Sequence, residues 1–253
     1  MPAPTLATCL TITAALGLAA VPQLAQADWT GKGEVGYVMA RGNSDTDTGN
    51  AKLDIAKEVG VWKHSLALSG LYGKNNDITT AQRWDIRWQS DYKLSERMFA
   101  FGAARYEDDN FSGFDYQATL SAGLGYHFIA TEATKLTGTL GAGYRVLVPE
   151  QLIKDAAGNV VQRIKGERSE NVVANAGIDF EQKLTATTTL TDKLLVEAGS
   201  DNTYVNNDLA LRVSMTGKLA LSVGYSVRHN TDPPPGIEKT DQLTTLNLVY
   251  MIK

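Results

Sequence analysis

Three histidines, His64, His127 and His229, are the side chains best suited to general acid or base work, and Cys9 is the one cysteine. A histidine can take the proton of a serine that attacks an ester, provided the two are held within hydrogen-bond reach and the base is itself oriented. On an extended strand that arrangement calls for a serine two positions away, on the same face. None of the three histidines has one. His229 is the best placed of them, next to Asn230 and in phase with Val227, although a polar residue closing a strand is the plainer account of it. Asp45 and Asp47, with Asn43 and Asn50, offer oxygen ligands to calcium, but their spacing is not that of an EF-hand and the same residues are ordinary turn chemistry. Scattered histidines and a single cysteine make a catalytic zinc site a poor fit, and no cofactor is implied.

The elements that must position these residues begin after an unusual first segment. Met1 to Ala27 contains no Asp, Glu, Lys or Arg, has an apolar run from Leu10 to Val21, and closes on Ala25-Gln26-Ala27. This is the pattern of a cleaved secretory signal peptide, leaving one domain over 28–253. Cys9 falls inside it, so the exported part carries no thiol and no disulfide. A net charge of −4 gives no basic clustering of the kind nucleic acid requires.

From Trp29 onward the dominant period is two. Tyr116, Ala118, Leu120, Ala122, Leu124, Tyr126 and Phe128 alternate with Gln117, Thr119, Ser121, Gly123, Gly125 and His127. The same phase recurs at 136–146, 172–180 and 219–227. Twelve strands are predicted, near 29–41, 48–58, 62–72, 81–93, 97–107, 114–128, 134–148, 168–182, 186–199, 204–216, 218–229 and 240–252, with ends good to roughly two to four residues. Short connections at Gly60-Val61, Leu94 to Glu96, Ala130 to Ala133, Lys183 to Thr185 and Gly217 alternate with longer polar ones. The longest runs from Pro149 to Glu167 and alternates around 155–159, as a hairpin would. Short turns on one edge and long loops on the other are the habit of an antiparallel, up-and-down transmembrane β-barrel.

Size decides which face turns outward. A twelve-strand barrel lined with Leu, Val and Ala would enclose a large dry void, so the apolar face belongs in hydrocarbon and the polar face in the lumen. The lumen candidates are Lys52, Asp54, Glu58, Arg83, Asp85, Arg87, Asp91, Lys93, Arg145, Asp179, Glu181, Lys193, Glu197, Arg212 and Arg228. Their mixed signs predict a lumen crossed by ion pairs, with at most a narrow aqueous path. Tyr37, Tyr72, Tyr92, Tyr126, Tyr144, Tyr204, Tyr225, Trp62 and Trp84 are candidates for the interfacial aromatic girdles. Asp192, in phase with Leu190 and Leu194, is the exception and predicts a bulge, a strand end or a shifted register.

Trp29-x-Gly31, Gly33-Glu34-x-Gly36, Gly42-Asn43-Ser44 with Thr46, Tyr72-Gly73, Asp108-Asp109-x-Phe111, Gly123-x-Gly125 and Thr240-Asp241 before Leu248-Val249-Tyr250 together resemble the salt-induced outer membrane protein family, a domain of unknown function. The resemblance spans nearly all of the chain after the leader. It implies an outer-membrane barrel of a Gram-negative bacterium with no assigned reaction. The chain departs from the common habit of ending on an aromatic residue, closing instead on Tyr250-Met251-Ile252-Lys253. The expected role is structural or that of a narrow passive pore, linked to salt or osmotic stress. Outer-membrane lipid, lipopolysaccharide and the barrel-insertion machinery are the expected partners, and nucleic acid is not. The alternatives are a lipid-modifying outer-membrane enzyme with His229 as base, an adhesin using the loop from Pro149 to Glu167, and a soluble periplasmic β-protein that binds a ligand.

Overall fold

A computed structural model describes residues 29–40, 46–76, 78–155 and 160–252. The expected leader, 1–27, and the calcium-ligand candidates Asn43 and Asp45 lie outside the described residues. Alternating sequence becomes thirteen strands: β1 (Trp29–Ala40), β2 (Thr46–Val59), β3 (Trp62–Asn75), β4 (Ile78–Lys93), β5 (Met98–Asp109), β6 (Phe114–Ala130), β7 (Thr134–Lys154), β8 (Val160–Lys165), β9 (Ser169–Lys183), β10 (Thr188–Ala198), β11 (Thr203–Ser214), β12 (Leu219–Asn230) and β13 (Thr240–Ile252). Consecutive strands pair antiparallel, except that β9 pairs with β7 rather than with β8, and β1 pairs with β13 to close the ring. β8 pairs only with the far end of β7, so the closed barrel has twelve strands and β7–β8 is a hairpin projecting from its rim. Closure leaves no unpaired edge, which is how a sheet satisfies its backbone where no water reaches it.

The long connection from Pro149 to Glu167 forms the hairpin its alternation suggested: β7 runs through Pro149 as far as Lys154, and β8 pairs back onto it. Proline donates no ladder hydrogen bond. It is tolerated here because the β6–β7 register slips at Phe114/Tyr116, where Glu150 N–H instead donates to Gly113 O at 2.7 Å. A second slip at His127/Ile129 turns both Phe128 and Ile129 outward and ends the alternation of β6.

Burial is inverted relative to a water-soluble protein. Among the described residues, buried polar and charged side chains outnumber buried apolar ones, while Leu120, Leu140 and Val172 stand 64 %, 69 % and 73 % exposed on the outside. Aromatic rings band the exterior near both rims: Trp84, Tyr106 and Tyr116 in a chain of ring contacts on the long-loop side, Trp62 with Tyr92 and Tyr126 with Phe128 on the short-turn side. Tyr204 was expected in these bands and is not there. It is fully buried in the lumen, because β11 turns Tyr204, Asn206 and Asp208 inward and Val205, Asn207 and Leu209 outward. Asp192 marks neither bulge nor register shift: the β9–β10–β11 pairing is continuous, and the carboxylate accepts a hydrogen bond from Asn207 Nδ2 at 2.7 Å on the outer face.

Candidate functional site

The lumen is where the polar sequence converges. β5 and β12 lie on opposite walls, with five strands between them in either direction around the ring. From β12, Arg228 donates to Glu107 of β5 at 2.6 Å and to Asp85 of β4 at 2.9 Å. Arg105 of β5 reaches Glu197 of β10 through two nitrogens, at 2.5 and 3.3 Å, and Thr119 donates to the same carboxylate. Tyr204 donates from its hydroxyl to Glu107 at 3.1 Å and receives the Arg105 guanidinium on its ring face, 4.3 Å from the centroid. Arg83 with Asp109 and Arg87 with Asp85 complete the set. Four arginines face four carboxylates, so the cluster is close to electroneutral and ties opposite walls together. Fork-shaped guanidinium groups suit this, each engaging more than one oxygen at fixed geometry.

A second polar layer lies beside it. Glu34 is held by Lys32 and by Asn247 Nδ2 at 3.1 Å, Asn247 accepts from Asn50, and Lys52 approaches Asp208 at 3.6 Å.

Above the cluster the long-loop mouth is covered. The segment between β12 and β13 crosses it, with Pro233, Pro234 and Pro235 over Phe114, Leu147 and Pro149. Gly113 makes that contact possible: its φ of 78° is a left-handed conformation, and a Cβ there would stand 2.8 Å from Ile237 and 2.9 Å from Pro234. Arg145, fully buried, donates to the Asn202 carbonyl at 2.5 Å and to Asp201 in the β10–β11 turn. Burial pushes the Asp201 carboxyl up, but the hydrogen bond and charge of Arg145 outweigh it and hold it below the usual carboxylate range. Asn202 in turn anchors the covering segment, accepting from Asp232 N–H and donating to Asn230.

The short-turn half is open. Lys193 is exposed within it, facing the charges of Asp54 and Asp179, and Glu58 and Lys93 are exposed at the rim. Glu181 pairs with Lys135 there at 3.3 Å, Asp91 accepts from Gln89, and Arg212 stands half-exposed on β11.

The residues named from sequence therefore divide. Arg83, Asp85, Arg87, Glu197 and Arg228 meet in the cluster, Lys52 lies in the layer beside it and Arg145 braces the turn above it, while Asp54, Asp91, Lys193, Asp179, Glu181, Arg212, Glu58 and Lys93 lie on the open side. Arg105, Glu107 and Tyr204 were not singled out for the lumen. On β5 both faces are apolar near its start, so Phe99 and Phe101 disguise the lumenal phase. Gly125 shows why aromatic rings fit inside: a Cβ at that position would lie within 2.0 Å of the Phe99 ring, which occupies the space.

Each histidine pairs with a hydroxyl on a neighbouring strand: His64 with Ser90 at 2.8 Å, His127 with Thr137 at 2.9 Å, and His229 with Thr240 at 2.8 Å. Asp47 accepts from the Tyr37 hydroxyl. Among the described residues, no three His, Cys, Asp or Glu side chains are grouped to hold a metal ion.

Residues 33–252 match the family described as "Protein of unknown function, DUF481". The chain belongs to this family. Over 236 residues it is 25% identical to the uncharacterized protein YdiY of Escherichia coli (strain K12), covering 90% of this chain and 85% of that protein. Among solved structures it is similar to the translocator domain of the autotransporter NalP from Neisseria meningitidis, at 14% identity and a TM-score of 0.48 over 88% of this chain and 86% of that one. It is also similar to the COG4313 outer membrane channel from Pseudomonas putida F1, at 11% identity and a TM-score of 0.45 over 88% and 94% of the two chains. These are likenesses of fold.

Proposed function

We propose that this protein is exported to the outer membrane of a Gram-negative bacterium and serves there as a sealed structural barrel, closed to solutes at rest. The observation that carries this reading is the ion-paired cluster joining β5 to the opposite wall through Arg228 and Glu107. The exposed apolar exterior between two aromatic bands supports the membrane location, since a contiguous surface of that kind calls for a non-aqueous partner. The short-turn edge then faces the periplasm and the covered mouth faces outward. A constitutive passive pore is disfavoured, because opposite walls touch and the mouth above them is covered. Nor is the cluster a sensor of salt: buried pairs are screened far less than exposed ones, so a link to osmotic stress needs control from outside the barrel.

The loss of all native thiols with the leader allows a clean test by single cysteines. Lys193→Cys is expected to react with a small membrane-impermeant maleimide when the periplasm is opened and not in intact cells. Gln117→Cys, at a position only 1 % exposed, is expected to stay unlabelled from both sides. Labelling of Gln117→Cys in intact cells would show a lumen open to the outside.

A further inference from the structure

Resting on that membrane location, we infer that the outer face of β3–β5 holds a specific glycerophospholipid of the periplasmic leaflet, with an acyl ester at His64 and Ser90 and a fatty acyl chain in the groove beyond them. The pair is 26 residues apart in sequence and meets only because β3 and β4 place His64 opposite Ser90, both pointing out of the barrel. It lines an open groove of about 490 Å³ on the outer surface with Trp62, Trp88 and Gly102. Trp62 stacks parallel to the His64 ring at 6.0 Å and meets Tyr92 edge-on at 4.9 Å. That aromatic band marks the periplasmic interface, so the pair sits one residue step inside it, at the depth of lipid ester linkages rather than of acyl tails.

The chemistry of the pair fits an acceptor. Away from water, a hydroxyl and an imidazole satisfy each other with one hydrogen bond. With Ser90 donating to Nδ1, His64 carries its proton on Nε2 and keeps a donor unused by that bond. Ester carbonyls and phosphate oxygens only accept, and so complement it.

The groove supplies room for the chain. Directly opposite Ser90 is Gly102, whose Cβ direction is open, and the same row continues in unbroken register through Ala122, Ala142 and Ala174. Leu120 and Tyr144 project above the row, Leu124 and Leu140 below it. From Ser90 to Ala174 is four strand spacings of about 4.8 Å, roughly 19 Å, the reach of an extended fatty acyl chain.

The site binds the ester and does not cleave it. Hydrolysis would need two donors aimed at a developing oxyanion, and the backbone N–H groups of β3, β4 and β5 are committed to the ladder. Nothing among the described residues bonds the second nitrogen of His64 to orient it as a base.

The test folds the full chain into vesicles of phosphatidylethanolamine and phosphatidylglycerol, transfers it to detergent, and counts retained lipids by native mass spectrometry. Wild type is expected to keep one phospholipid, and Gly102→Leu, which fills the groove, none. Gly70→Leu, at an equally open outward position away from the row, is expected to behave as wild type. His64→Phe, which removes the Nε2–H donor, is expected to exchange its lipid about three- to tenfold faster, the effect of one lost hydrogen bond. Equal retention by wild type and Gly102→Leu, no retention by wild type, or release of lysophospholipid and fatty acid by wild type would each overturn the proposal. Heat-modifiable migration of every variant, read on the same samples, separates these results from failure to enter the membrane, which would overturn the location and the proposal together.

Discussion

Arg228→Ala is expected to be the most damaging single truncation in the lumen, lowering unfolding free energy by about 3–5 kcal/mol. The magnitude follows from what is left behind. Glu107 and Asp85 are only 3 % and 4 % exposed, and both accept charge-assisted hydrogen bonds from this one guanidinium. Arg105 stays near Glu107 at 3.6 Å and Arg87 near Asp85 at 3.5 Å, but neither is placed to replace two direct bonds. Removing the demand along with the donor should recover much of the loss, so Arg228→Met combined with Glu107→Gln is expected to be more stable than Arg228→Ala. Urea midpoints of vesicle-embedded protein measure both. A loss below 1 kcal/mol for Arg228→Ala would mean that water reaches the cluster freely.

Leu140→Arg is the second large effect, and it addresses the outside. Leu140 is 69 % exposed, near the middle of the barrel part of β7, opposite Leu124 and Ala176. In hydrocarbon, an arginine at that depth costs about 2–4 kcal/mol. On a water-facing surface the same change falls within about 0.5 kcal/mol of neutral. The same urea titration therefore separates a membrane barrel from a soluble periplasmic β-protein with this topology.

How much of this was legible before the structure differs by element. β6 and β12 announce themselves, because a strict apolar–polar period leaves only one way to orient the strand. β5 does not, since its first half is apolar on both faces, and the lumenal Arg105 and Glu107 follow from register rather than from composition. Tyr204 misled for a related reason: a tyrosine near a strand end suits a girdle as well as a lumen, and only the parity set by Asn206 and Asp208 decides. The His64–Ser90 pair was invisible to a search for serine two places from histidine, because the neighbour comes from the adjacent strand. In the covering segment, Pro233, Pro234 and Pro235 say only that the chain must leave the sheet there. That it lies over Phe114 and Leu147 depends on Gly113 and on the anchor at Asn202, which no local pattern encodes.

The most direct measurement is single-channel recording of the folded protein in a planar lipid bilayer, beside a variant combining Arg228→Met, Glu107→Gln and deletion of residues 232–237. Wild type is expected to give no discrete conductance steps, and the variant to give them, because the cover and the bond between opposite walls are then both gone. Stepwise conductance from wild type at low voltage would contradict a lumen closed at rest.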